Sequence, residues 1–542
     1  MDRRRFLRTT AAAVPVALVA AAGCQPETAR TFLHGVAAGD PLPDRVLLWT
    51  RITPTPDATP GSGKGAPVPV RWEVARDGAF ARIVATGTVT ATAARDHTVK
   101  VDATGLRPDT EYWYRFRGAG GTSPVGRART APATGAAVNR LRLGVVSCSN
   151  MAEGWFTAYG RLAERDDVHW VLHLGDYLYE YGSGEYGSAR APVPAREIVT
   201  LADYRRRHAQ YKGDPDLQRL HARFAFVCTW DDHEVANDSW RDGADNHQAG
   251  EGSWAARAAA GRRAYFEWMP VREPAPGTTR IYRTLRFGTL AQLQMADLRQ
   301  YRDQQPASPT ETAVIDDPDR TILGPAQERW LHDGLKTAAT TWKLLGSSVM
   351  LTPVTFGGVQ NLPGVPDALD PVLVPLVDEA VTGITGGAVP ATGVPLNVDA
   401  WDGYTADQQE LLGLVGREGI TGFVSLVGDI HSAWACELQP AGAATPVGVE
   451  LVCSSITSDN VDDIVAEAVT GAGLPPGVPA PEALGTAGAI AAETALMATN
   501  PDVRMVELRG HGYSILDLTA GALQMDWWEV DPHVRGARTR WA

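Results

Sequence analysis

The residues best equipped for chemistry in this 542-residue chain stand in the run Leu174-Gly175-Asp176-Tyr177-Leu178-Tyr179-Glu180. Just before it, His169-Trp170-Val171-Leu172-His173-Leu174 is apolar-rich and predicts a buried strand. Gly175 gives the backbone freedom to turn. Asp176 is thereby presented at the strand's carboxyl end, where open α/β sheets place their sites. Tyr179 is close enough in sequence to return to the same spot. A carboxylate has two oxygens and can bridge two metal ions, and a phenolate is a hard donor suited to a trivalent metal. A turn glycine and two packing tyrosines would account for the stretch equally well, so its companions decide its meaning.

Three further apolar runs stop at metal-capable side chains. Leu141-Arg142-Leu143-Gly144-Val145-Val146 leads into Ser147-Cys148-Ser149-Asn150. Phe224–Trp230 leads into Asp231-Asp232-His233-Glu234-Val235-Ala236-Asn237-Asp238. Thr421–Val427 leads into Gly428-Asp429-Ile430-His431. Four such endings on one sheet edge are hard to reach by packing alone, because unpaired carboxylates are costly to bury. Cys228, Cys436 and Cys453 differ from Cys148 in lying inside apolar runs, where free cysteine is a common core residue. The cysteine spacing shows neither a C-x-x-C zinc pattern nor a dense disulfide framework.

These endings need a frame. A helical pattern over Trp155–Asp166 separates the first two strands, and this β-α-β order predicts parallel neighbours whose loops share one edge. Helical patterns follow over Arg205–Arg219, Arg257–Trp268, Ala326–Ala339 and Glu410–Glu418. Strands are predicted at Leu290–Met295, ahead of Asp297-Leu298-Arg299, at Trp342–Leu351, near Gly448–Cys453 and over Tyr513–Trp528. Thr355–Asn397 is Pro-, Gly- and Val-rich and predicts a loop insertion. Gly471–Asn500, Ala- and Pro-rich, is expected to be peripheral. Residues 31–132 read as all-β: Val70–Val74 and Tyr112–Arg117 alternate with period two. Leu106–Tyr112 has the turn and tyrosine of a fibronectin-like sandwich corner.

The length calls for two domains, and the 44% hydrophobic and 21% charged fractions are those of a soluble globular protein. A net charge of −13 argues against a nucleic-acid-binding surface, though not against phosphate substrates, since a metal inverts the local field. Met1-Asp2-Arg3-Arg4-Arg5-Phe6-Leu7-Arg8 and the apolar run from Ala11 to Gly23 make a basic and a short apolar region, too short to span a bilayer. The arginine run resembles a twin-arginine export signal. Cys24 after Ala21-Ala22-Gly23 fits a lipid anchor; an ordinary signal cut nearby would leave it incidental.

The order of motifs resembles the calcineurin-like metallophosphoesterase pattern, with three departures: Cys148 where aspartate is usual, Asp232 where asparagine is usual, and Asp429 where histidine is usual. With the export signal and the His34–Arg51 opening, these changes look like the alkaline phosphatase D (PhoD) family. The resemblance implies an α+β chain of two domains: a fibronectin/Ig-like sandwich over 31–132, after an export signal at 1–30, and a four-layer αββα catalytic domain over 133–542. It implies that Cys148, Asp176, Tyr179 and His431 ligate Fe3+, with Asp176 bridging, and that Asp232 and Asp429 ligate Ca2+. His233 would contact phosphate or protonate the leaving group, and Arg299 and Asn150 would bind substrate. His511, Asn237 and Asn150 are candidates for supporting the ligands. Asn237-Asp238 and Ser347-Ser348 depart from the family's Asn-Asn and Asn-Gln, which bears on the second metal's remaining ligands.

The function this implies is hydrolysis of phosphate esters outside the cytoplasm by a metal-activated water or hydroxide. The partners implied are a monoester or diester substrate and the twin-arginine export machinery, with the chain a monomer in the periplasm, outside the cell or anchored through Cys24. A phosphodiesterase or phospholipase D-like activity on the same site is the first rival. A cell-surface binding protein with structural metals is the second.

Overall fold

The computed structural model describes residues 31–275, 277–356, 393–472 and 480–541. The expected export signal with Cys24, and most of the expected insertion over 355–397, lie outside them.

Two large sheets carry the chain. A nine-stranded sheet runs in the order Arg540–Trp541, Leu523–Glu529, Gly512–Leu518, Leu141–Val146, Trp170–His173, Ala225–Cys228, Val36–Leu42, Arg45–Arg51, Thr98–Thr104. Its centre is parallel, with Val145 opposite Leu172 and Leu172 opposite Val227. A seven-stranded sheet runs Arg283–Phe287, Ala291–Met295, Trp342–Gly346, Phe423–Val427, Gly448–Val452, Ala433–Leu438, Val503–Glu507. It too is parallel at its centre.

Side-chain alternation sends each strand into two cores. Leu143, Val145, Leu172 and Val227 meet Leu293, Leu344, Val424 and Leu426 between the sheets. Their neighbours Val146, Val171, Phe226 and Cys228 face Leu162, Tyr204, Leu217 and Tyr265, which lie on helices Thr157–Ala163, Leu201–Lys212, Pro215–Arg223 and Trp254–Trp268. Leu345 and Val427 face Leu331, Leu411 and Leu496 on helices Pro325–Thr337, Thr405–Arg417 and Pro481–Thr499. Burial on both faces is why these strands read as continuous apolar runs.

Residues 31–132 do not confine their pairing to themselves. Val36–Leu42 pairs in parallel with Ala225–Cys228, Ala38 opposite Ala225, and with Arg45–Arg51 and Thr98–Thr104 it extends the nine-stranded sheet. Trp49 closes the seam, its Nε1 donating to the Glu267 carbonyl at 2.9 Å. The segment's other strands form a separate antiparallel sheet of five. The predicted tyrosine corner is present, Tyr112 Oη accepting from the Arg107 N–H at 2.8 Å.

Local corrections have local causes. The helix predicted over Arg205–Arg219 is two, because Pro215 cannot continue the first and the Asp214 carboxylate caps the second through the N–H groups of Asp216 and Leu217. Gly471–Asn500 is less peripheral than its composition suggests: it contains the helix Pro481–Thr499, whose Ala489 and Leu496 are buried in the third core. Trp342–Leu351 pairs only as far as Gly346. Tyr513–Trp528 falls within a hairpin of two strands.

Behind the Asp176 loop, Lys212 is buried beneath the rings of Trp49 and Tyr177, its Nζ 2.8 Å from His221 Nε2. Burial pushes this ammonium down to about 7 from an ordinary 10.5. Between those values the folded chain binds fewer protons than the unfolded one, so this group makes stability rise with pH, by at most ~1.4 kcal/mol per unit. Lys212→Met is expected to flatten the urea-unfolding free energy between about pH 7.5 and 9.5 by roughly 1 kcal/mol per unit. An unchanged slope relative to wild type would show that Lys212 stays charged in the fold.

Candidate metal centre

Four strand ends converge. Cys148 follows Leu141–Val146, Asp176 follows Trp170–His173, Asp232 follows Ala225–Cys228, and Asp429 and His431 follow Phe423–Val427 of the other sheet. The loops stay paired beyond the strands: the Cys148 N–H donates to the Gly175 carbonyl at 3.2 Å and the Ser149 N–H to that of Asp176 at 2.9 Å. The sheets touch here, and a Cβ on Gly428 would lie 2.7 Å from that of Ser147. Gly175, at φ 116°, faces a similar limit, since its Cβ would meet Asp231 Cβ at 2.6 Å.

Cys148, Asp176, Asp429 and His431 all have positive φ, between 54° and 64°. For residues other than glycine this conformation costs of order 1–3 kcal/mol each and persists where the surroundings enforce it. The strain turns each side chain off its strand and into the site.

One ligand atom each from Cys148, Asp176 and His431 lies within 4.8 Å of the others. Tyr179 Oη stands among them, 3.2 Å from Asp176 Oδ2 and 3.3 Å from His431 Nε2. His431 is oriented by its other nitrogen, Nδ1 lying 2.8 Å from the Asp459 carbonyl, the kind of partner that fixes a ligating imidazole. Asp176 Oδ1 is buried without a hydrogen-bond partner. Burial first, then Asp232, Asp231 and Glu234, push this carboxyl well above its ordinary range, against the pull of His233. Burial and the Asp176 charge do the same to the Cys148 thiol. Thiolate, phenolate, imidazole and an orphaned carboxylate oxygen are a donor set that fits a metal ion.

A second group joins Asp176, Asp232 and His233, and a third joins Asp232, Asp238 and Asp399. Asp429 lies near the same carboxylates through Arg299, whose Nη2 is 3.6 Å from Asp429 Oδ1. Arg299 is not on an open face: it is buried, bonded to Asp231, 2.7 Å from Asp399 and 3.8 Å from Asp232. Burial raises Asp232, but Arg299 and His233 outweigh it and hold the carboxyl below its usual range. Asp238, with Asp399 and Asp232 beside it, is pushed up by burial to about 7. The third group, carboxylate oxygens alone, suits a hard cation.

His233 stacks on Tyr179 at 4.1 Å between centroids, and its Nδ1 lies 2.8 Å from Glu180 Oε2. Burial disfavours its charge, yet Asp232, Asp176 and Glu180 raise the imidazole well above its usual range. Glu180 is itself held by the Asn237 N–H at 2.8 Å and Asn246 Nδ2 at 2.6 Å. Glu234 fixes the backbone, accepting from the N–H groups of Asp176, Tyr177 and Asp231.

Asn150 is turned into its own loop, Oδ1 accepting from the Ala152 N–H at 3.0 Å and Nδ2 donating to the Tyr186 carbonyl at 3.3 Å. Cys228, Cys436 and Cys453 are buried and free, none of them within the three clusters. Sequence reasoning missed Asp399, which enters from the end of a stretch without periodicity. It also passed over Glu180 and Asp231, although both stand inside the quoted motifs.

Among known proteins, the model for the PhoD-like phosphatase matches residues 143–527, and that for the PhoD-like phosphatase N-terminal domain matches residues 18–132. Alkaline phosphatase D of Bacillus subtilis (strain 168) is 37% identical over 439 residues, 79% of this chain and 69% of that protein. A solved structure of PhoD superposes with a TM-score of 0.79 at 31% identity, covering 96% of this chain and 90% of its own. Matched along most of its length by these comparisons, this protein belongs to the PhoD-like phosphatase family, an enzyme that hydrolyses phosphate esters.

Proposed function

We propose that the phosphatase acts through two adjoining metal sites. Cys148, Asp176, Tyr179 and His431 would hold Fe3+, and Asp232 and Asp429, joined by Asp176, Asp238 and Asp399, would hold Ca2+. The observation that supports this most is the meeting of a cysteine, a tyrosine, a histidine and an aspartate with an orphaned oxygen, beside carboxylates alone. Bound ions of this kind supply positive charge for phosphoryl oxygens and a nucleophile at neutral pH. Asp176, which lies in the cluster of Cys148 and His431 and in that of Asp232 and His233, would be the ligand shared between the two ions. The segment 31–132 is read as a fibronectin/Ig-like sandwich, and 133–542 as a four-layer αββα unit. Residues 1–30 are read as a twin-arginine signal of an exported monomer, with Cys24 as its anchor.

His233 is the acid for the leaving oxygen. Glu180, 2.8 Å from Nδ1, keeps the imidazole protonated and leaves Nε2 as the donating atom. Arg299, buried between Asp231 and Asp399, holds the carboxylate array in place. Comparing turnover of a phosphate monoester with that of a phosphatidylcholine-type diester decides between the two ester classes.

Purified protein should be coloured and contain iron. Cys148→Ser should lose colour and iron with circular dichroism unchanged, whereas Cys228→Ala should keep both, at a cost of a few kcal/mol of packing at most. Full iron occupancy in Cys148→Ser would sink the ligand assignment.

Calcium chelation should abolish turnover while the colour persists, since oxygen-only sites in extracellular modules bind calcium at roughly 10⁻⁴–10⁻³ M. Asp399→Asn should raise the calcium concentration needed for half-maximal activity. Turnover indifferent to a calcium chelator would refute the second site.

Glu180→Gln should slow alkyl phosphates by about 10²-fold and aryl phosphates, whose leaving groups need no proton, far less. A raised imidazole pKa keeps the acid protonated to higher pH, so removing Glu180 should move the alkaline limb of the alkyl-phosphate profile downward. Equal losses on both substrate types would remove His233 from this role.

A further inference from the structure

The loop Cys453–Asn460 reaches the metal centre from between the two sheets. Its backbone ties both: the Ser455 N–H donates to the His431 carbonyl at 3.1 Å, and the Ile456 N–H to that of Ser147 at 3.1 Å. Ser458 is fully buried, with Oγ 2.7 Å from Tyr179 Oη and 3.0 Å from the Cys148 carbonyl oxygen. A serine hydroxyl has one proton. The Cys148 carbonyl also faces the N–H groups of Thr457 and Ser458, each at 3.4 Å, so it keeps partners when the hydroxyl turns away. An ionised phenolate at the shorter distance is the stronger acceptor.

Ser458 is itself anchored from the far side. Its carbonyl accepts from Ser455 Oγ at 2.6 Å, and Ser455 Oγ lies 2.9 Å from His511 Nδ1. His511 Nε2 is 2.9 Å from Asp463 Oδ2. The trio has the residue types of a nucleophilic triad but the wrong proton flow. Ser455 spends its proton on a carbonyl, so His511 Nδ1 must donate to it, while Nε2 donates to a carboxylate. His511 is therefore an imidazolium without a lone pair for a base, and Ser455 is not a nucleophile. Asp463, His511 and Ser455 act instead as a strut behind Ser458.

We propose that Ser458 is a positioning residue for the reaction: it donates a hydrogen bond to the Tyr179 phenolate, fixing the ring and weakening its electron donation to the metal, with His511 and Asp463 bracing it. This rests on the reading of Tyr179 as a ligand.

The test measures, for the full chain as purified, how fast the ion it carries is lost to a chelator, in wild type, Ser458→Ala, Tyr179→Phe and the double variant. Circular dichroism monitors the fold. Ser458→Ala is expected to speed ion loss about tenfold, the scale for a group that orients a ligand, and to move the tyrosinate charge-transfer band to longer wavelength. In the Tyr179→Phe background the same substitution should add nothing. His511→Gln, which leaves Ser458 in place, should give a smaller change in the same direction. If Tyr179→Phe speeds ion loss and Ser458→Ala changes neither rate nor band, the Ser458 proposal is overturned and the ligand reading stands. An unchanged rate in Tyr179→Phe removes Tyr179 as a ligand and the proposal with it. If the ion is not iron, the iron assignment fails, while the rates in the four proteins still judge Ser458.

Discussion

The constraint behind this site is the repulsion among carboxylates gathered out of water. Asp231, Asp232, Asp399 and Asp429 crowd around Arg299, Asp238 joins Asp232 and Asp399, and Asp176 joins Asp232 and His233. Unbalanced charge in such surroundings costs several kcal/mol per ion, and the directions of the pKa shifts express it. Asp176 and Asp429 are driven up, while Asp232, with both Arg299 and His233 acting on it, is driven down. A fold that keeps these groups together must fix them firmly enough that they cannot relax apart. Positive φ at four residues that follow three of the strands, the threefold grip of Glu234 on the backbone and the Gly428–Ser147 contact all serve that end.

Placement between two sheets follows from the same need. Cys148 and Asp176 end strands of the nine-stranded sheet, while Asp429 and His431 end a strand of the seven-stranded one. The sheets share one apolar core, and a backbone bridge, Ser147 to Ser455, runs at the edge of the site. Ligands drawn from two rigid layers cannot move independently without opening that core. Precision at the metal centre is thus tied to burial of Leu143, Val145, Val424 and Leu426 beneath it.

The parts of this arrangement that were legible in the sequence are those with a local signature. Apolar runs ending at Cys148, Asp176, Asp232 and Asp429 could be read because strands buried on both faces leave continuous hydrophobic stretches. The tyrosine corner at Tyr112 was readable for a similar reason, being set within a few residues. What escaped was set by distance. Nothing near Ala38 announces a parallel partner at Ala225. Asp399 reaches the carboxylate cluster from a stretch with no period, and Ser458 meets Tyr179 only because a loop threads between the sheets. The split of the Arg205–Arg219 helix is marked in the sequence by Asp214-Pro215, a cap followed by a residue that cannot continue a helix.

The division of donors between the two halves of the site has a physical logic that fold alone does not supply. Cys148 and Tyr179 bring polarisable or strongly donating atoms to the side braced by His431, while the side around Asp232, Asp238 and Asp399 offers only carboxylate oxygens. A soft or trivalent ion is stabilised by the first set, and a hard divalent ion by the second. Asp176 links the first set to Asp232 through the group it forms with Asp232 and His233, with one oxygen against Tyr179 and the other free of any hydrogen bond. Had the cysteine been an aspartate and Asp232 an asparagine, the two halves would be nearly alike in chemistry. Cys148, Asp232 and Asp429 together make the two halves unlike in donor chemistry.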